Sequence, residues 1–152
     1  MRKLTSLLVI IFLGSLVIVS SCKKEKVDPE PSEEEKQIDA LSKAWVVSSV
    51  TLGGDDVTDE WQGFELTYGN KTYSTIASFN ANVWPSSGTY EFATSNGEPD
   101  VNTMLRSGLG DPLPISLNVS TNSLVMSFTY DTDVNGRLKG TDGSWVFSMD
   151  AK

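Results

Sequence analysis

The chain has 152 residues with 20 acidic against 12 basic side chains, a formal charge of −8, no histidine and one cysteine. An acidic surface repels phosphate backbones, so nucleic acid is not an expected partner. The missing histidine removes the usual general base, the Ser-His and Cys-His nucleophile pairs and the commonest zinc ligand. Carboxylate chemistry survives, but no pair of Asp or Glu stands out by spacing, and no nucleophile motif or Gly-rich phosphate loop is present. The chain is therefore expected not to be an enzyme and to need no cofactor.

Arg2 and Lys3 precede an apolar run from Leu4 to Val19, and Ser20-Ser21-Cys22 follows. A positive start, a short apolar stretch and small residues before a boundary are the layout of a secretory signal. The run is shorter than the roughly 20 residues a membrane-spanning helix needs. Because the lone cysteine sits at that boundary, the stretch resembles a bacterial lipoprotein signal. That resemblance implies that residues 1–21 are the signal peptide and that Cys22 is the lipid-bearing first residue of the mature chain. Several acyl chains on one residue would anchor it stably, each buried methylene contributing about 0.8 kcal/mol. Membrane contact is thus expected through the anchor alone, and no second cysteine remains to form a disulfide.

Residues 22–31 carry Asp28-Pro29-Glu30-Pro31 and almost nothing apolar, so they read as a flexible tether. Cys22-Lys23-Lys24-Glu25 partly resembles the export tag of Bacteroidetes surface lipoproteins, which implies an outer-membrane lipoprotein on the periplasmic face or the cell surface. Ser32 with Glu35 makes a capping box, and Glu33 and Glu34 favour a helix start through the dipole. Ile38, Leu41 and Trp45 then give that helix one apolar stripe that can cap the fold behind it.

From Trp45 the apolar period shifts to two. Val46, Ser48, Val50 and Leu52 alternate with Trp45, Val47, Ser49 and Thr51 until Gly53-Gly54-Asp55-Asp56 signals a turn. Phe64, Leu66 and Tyr68 share a face before a turn at Gly69-Asn70, and Thr72 to Phe79 alternates poorly. Tyr90 with Phe92, Ile115 with Leu117 and Val119, Leu124 with Met126, Phe128 and Tyr130, and Trp145 with Phe147 and Met149 supply the later faces. Residues 93–113 resist assignment, and Met104-Leu105-Arg106 suits either a strand or a helical turn. Seven to eight short strands at this spacing predict an all-β domain over residues 32–152. Sequential antiparallel pairing closes most simply into an up-and-down barrel, with a two-sheet β-sandwich as the alternative.

Trp45-Val46-Val47, Trp84-Pro85-Ser86-Ser87-Gly88-Thr89-Tyr90-Glu91-Phe92 and Gly140-Thr141-Asp142-Gly143-Ser144-Trp145-Val146-Phe147 resemble the small lipocalin-like lipoproteins of Bacteroidetes. The resemblance spans roughly residues 40–150 and implies a lipocalin-like barrel of about eight strands, not an activity.

Two local patterns invite chemistry. Asp131, Asp133, Asn135 and Asp142 have the spacing of a calcium loop, with Gly136 at the turn position. Strands rather than helices are expected on both sides, however, and Asn135-Gly136 is a strong hairpin signal, so no metal site is assigned. Trp61 and Trp84 fall in loop-like segments beside Asp59, Glu60, Gln62 and Asn82. They are the candidate ligand-binding residues at a barrel rim, for instance as rings stacking on a glycan; packing as a lid over the barrel end is the competing reading. The inward faces carry large residues, so the barrel should be mostly filled. The expected function is a lipid-anchored cell-envelope binding or assembly module with an envelope protein as partner. The alternatives are a carrier of a small apolar ligand and a surface glycan-binding lipoprotein.

Overall fold

The structure is a computed structural model that describes residues 29–107, 112–131 and 141–152. Cys22 and the apolar run at residues 4–19 lie outside these. Among the described residues no helix is long and apolar enough to cross a membrane.

The helix forms where its cap predicts, as α1 (Glu33–Leu41). The Ser32 hydroxyl accepts from the Glu35 amide at 3.2 Å, and the Glu35 carboxylate accepts from the Ser32 amide at 2.8 Å. Each satisfies an amide that the first turn would otherwise leave unpaired. The helix ends by handing the Leu41 carbonyl to the Trp45 indole N–H at 3.0 Å, with Leu41 itself fully buried.

Nine strands follow among the described residues: β1 (Ala44–Leu52), β2 (Asp55–Asp56), β3 (Glu65–Tyr68), β4 (Thr72–Ile76), β5 (Ser87–Ser95), β6 (Glu98–Arg106), β7 (Leu113–Val119), β8 (Ser123–Tyr130) and β9 (Gly143–Ala151). The two-residue β2 merely folds back on the end of β1. The other eight pair antiparallel in sequence order, and β1 pairs with β9 to close the ring. The domain is thus an all-β, closed, antiparallel barrel with one short helix, and the sandwich alternative is set aside. Met104-Leu105-Arg106 is strand, paired with both β5 and β7.

One expectation fails in detail. Strict alternation in β1 would put Trp45 and Val50 on opposite faces, yet both are fully buried. The register against β9 jumps between Val47 and Ser49, which leaves Ser48 as an extra residue, its hydroxyl donating to the Ser148 carbonyl at 3.0 Å. A bulge of this kind reverses the facing of all residues beyond it.

The inward faces read from alternation in β3, β5, β7, β8 and β9 are buried, apart from the half-buried Val119, and they form one core with Trp45, Val50, Tyr73 and Met104. Strand connectivity gives the barrel two distinct ends. At one, α1 covers the opening: Gln37 donates to the Val101 carbonyl at 3.1 Å, and Glu34 pairs with Lys71 at 2.7 Å. At the other, a 3-10 turn (Thr58–Trp61) and the loop at residues 77–86 fold inward.

Candidate functional site

The inward-folded end gathers most of the unusual chemistry. Trp61 and Trp84 are both fully buried, so neither is presented at a rim. The stacking-platform expectation is corrected here in favour of the lid: polar neighbours along the chain suggested exposure, but long-range packing decides otherwise. The Trp61 ring meets Phe147 edge-on at 4.8 Å, Phe64 at 5.1 Å and Trp145 at 5.8 Å. The Trp84 ring stands edge-on to Tyr73 at 5.8 Å and to Phe128 and Phe147 at 6.1 Å. Edge-to-face contacts at these separations add to the burial of large apolar area. Together the two indoles plug the barrel.

The plug loop is held largely by itself. The Val83 and Trp84 amides both donate to the Asn80 carbonyl, at 3.0 and 2.9 Å, and the Ser78 hydroxyl donates to the Trp84 carbonyl at 2.7 Å. Its base is tied to β4 through Thr75, whose hydroxyl donates to the Pro85 carbonyl at 3.0 Å. Among the described residues, Ile76 at the end of β4 and Phe79 on the plug loop are the exposed large hydrophobic residues, at 61% and 59%, although the Phe79 ring still meets Trp61 at 6.0 Å.

Beneath the plug lies Arg106, the buried charged residue of the core, at 3% exposure. It shares the face of Met104 by alternation, but its residue type hid that from sequence reasoning. Its Nη1 donates to the Val83 carbonyl. Its guanidinium carbon lies 4.7 Å from the centre of the Trp84 ring and 6.0 Å from that of Phe128, within the range of cation-π attraction. Burial pushes its pKa down, opposed by the neighbouring hydroxyls of Tyr73, Tyr68 and Tyr130. No carboxylate pairs with it among the described residues, where the ion pairs of Lys36, Lys71 and Lys152 lie on the outside. Burial likewise raises the pKa of the Tyr68 phenol far above its usual value, so Tyr68 stays neutral.

The calcium-like spacing receives strands on both sides, with Tyr130 paired to Gly143 across β8 and β9. An EF-hand needs helices at those positions. Asp133 and Asn135 lie outside the described residues, while Asp131 and Asp142 are described and engaged in interactions of their own. On the outer wall, Ser116, Ser127, Thr129 and Ser144 line an open groove of about 440 Å³ across β7 to β9. It offers these hydroxyls beside Pro114 and Val146, while the rings of Phe128 and Trp145 at its floor are buried. Comparison with family models, with curated proteins and with solved structures finds no match for this chain.

Proposed function

We propose that the chain is a lipid-anchored, non-catalytic binding module of the bacterial cell envelope, akin to the small lipocalin-like lipoproteins of Bacteroidetes. The anchor is an acylated Cys22 at the outer membrane, on its periplasmic face or at the cell surface. The observation that carries the binding reading is the closure of the barrel at both ends by its own side chains, Leu41 under α1 and the two indoles opposite. Among the described residues the filled interior holds Arg106 as its buried charged group and no buried carboxylate, which supports a non-catalytic reading. Recognition is then assigned to the plugged end, where Ile76 stands exposed at the end of β4 and Phe79 on the loop that covers Arg106.

Labelling cells with an alkyne-bearing palmitate tests the anchoring. The wild-type protein should take up label and sediment with membranes, whereas Cys22→Ser should do neither. Undiminished labelling of the Cys22→Ser variant would refute the reading.

A further inference from the structure

Among the described residues the domain leaves two large apolar side chains in water, Ile76 and Phe79, three positions apart where β4 runs into the plug loop. Apolar residues exposed singly need no explanation, but two within four residues form a patch of the kind that marks an interaction site. Ile76 takes an outward position of β4, opposite Glu65 on β3, where water favours a polar side chain. Ala77, directly after it, has a left-handed backbone with φ of 52°, which a residue with a Cβ seldom adopts. Such a conformation persists only where its surroundings hold it. Here the chain is tied on both sides, by the Thr75 hydroxyl to the Pro85 carbonyl and by the Ser78 hydroxyl to the Trp84 carbonyl. The fold thus holds both side chains out in water, with Trp61 beneath Phe79 at 6.0 Å.

Charge identifies what covers them. The 3-10 turn that ends at Trp61 carries Asp59 and Glu60, and Asp55 and Asp56 precede it; all four are exposed. The described cations lie elsewhere or are engaged. Lys36 and Lys71 pair with Glu33 and Glu34 at the helix-covered end, Lys43 donates to the Thr121 carbonyl, Lys152 pairs with Glu65 at 2.7 Å, and Arg106 is buried. A second copy docking through the same patch would set acid against acid. An anionic bilayer meets the same repulsion. A protein segment with apolar side chains beside Lys or Arg suits both features. Its cations meet Asp59 and Glu60 while its apolar groups cover Ile76 and Phe79, and an arginine can also lie over the exposed Phe79 ring. Nothing in the plug has to move, because both side chains already stand outside it.

We propose that Ile76 and Phe79, with Asp59 and Glu60 beside them, dock a basic, apolar segment of a partner protein. This rests on the reading of the chain as a non-catalytic module with recognition at the plugged end, and it names the partner class. The full-length protein in nonionic detergent is titrated calorimetrically with a hexapeptide alternating arginine and leucine. Two counterparts are run beside it, one with serine in place of leucine and one with glutamate in place of arginine. The arginine–leucine peptide should saturate at one per chain and bind at least about 10-fold more tightly than either counterpart. Added salt should weaken that binding. Ile76→Ser combined with Phe79→Ser should remove the preference for leucine over serine, and Asp59→Asn combined with Glu60→Gln the preference for arginine over glutamate. Should the first pair fail to fold, Ile76→Ser alone decides, since the fold already leaves that position in water. Glu98→Gln, beside α1 at the opposite end, should change nothing. Absence of saturable binding, equal binding of the three peptides, or preferences that survive these substitutions would each overturn the proposal. Self-association in sedimentation velocity that Ile76→Ser abolishes would also overturn it, by giving the face to a second copy. Failure of the titrations with acylation at Cys22 intact removes the basic partner alone, whereas loss of acylation removes the anchoring and leaves the docking result standing.

Discussion

Truncating Trp84 to alanine separates a plug from a rim residue. The substitution removes a fully buried indole whose ring lies 5.8 to 6.2 Å from those of Tyr73, Phe128, Phe147 and Phe64. Loss of a buried tryptophan side chain costs about 3–5 kcal/mol through lost transfer energy and the cavity left behind. Against a total stability of about 5–15 kcal/mol for a single domain, that is about a fifth or more. It corresponds to a fall in melting midpoint of roughly 10–25 °C for a domain of this size. The indole N–H has no partner to lose, so Trp84→Phe should retain most of the stability and fall by only about 1–2 kcal/mol. Equilibrium unfolding in urea, with thermal melts followed by circular dichroism, reads both values. A loss below about 1 kcal/mol for Trp84→Ala, as expected of an exposed residue, would refute the packing derived for this end of the barrel.

Two further substitutions probe the frame around the plug. A methyl group added at Gly88 would lie 2.6 to 2.8 Å from three atoms of the Tyr73 side chain across the β4–β5 ladder. Gly88→Ala should therefore destabilise the domain by about 1–3 kcal/mol, and an unchanged urea midpoint would contradict that close approach. At the other end, the backbone amide and then the hydroxyl of Ser32 hold the Glu35 carboxyl below its ordinary pKa. A depressed carboxyl contributes stability above the unfolded-state pKa and loses it as pH falls through the lower folded-state value. Glu35→Ala should thus lower the melting temperature at neutral pH and lose most of that effect at about pH 2, where the wild-type carboxyl is protonated. A penalty independent of pH would show that the ionised carboxylate of the capping box is not its source.

The sheet was legible because its chemistry is local. The alternating aromatics of β8 and β9 specify which face is buried whatever lies across the ladder, and Ser32 with Glu35 specifies the helix start within four residues. What escaped depends on distant partners. The extra residue at Ser48 shows itself only against β9, a hundred positions away, so the turnover of facing between Trp45 and Val50 has no local sign. Trp61 and Trp84 stand among acids and amides in irregular segments, and only the aromatic wall supplied by Phe64, β4, β8 and β9 draws them inside. Arg106 is the sharpest case. Its position obeys the period of β6, but an arginine on an inward face violates the residue-type rule by which inward faces are recognised.

The barrel is closed by its own indoles, and tryptophan emission measures that closure directly. Trp45, Trp61 and Trp84 are fully buried and Trp145 is 3% exposed, so all four report from the interior. The wild-type protein should show short-wavelength emission that iodide scarcely quenches until urea unfolds the domain. A long-wavelength component quenched by iodide under native conditions would place at least one indole in water and contradict the closed barrel.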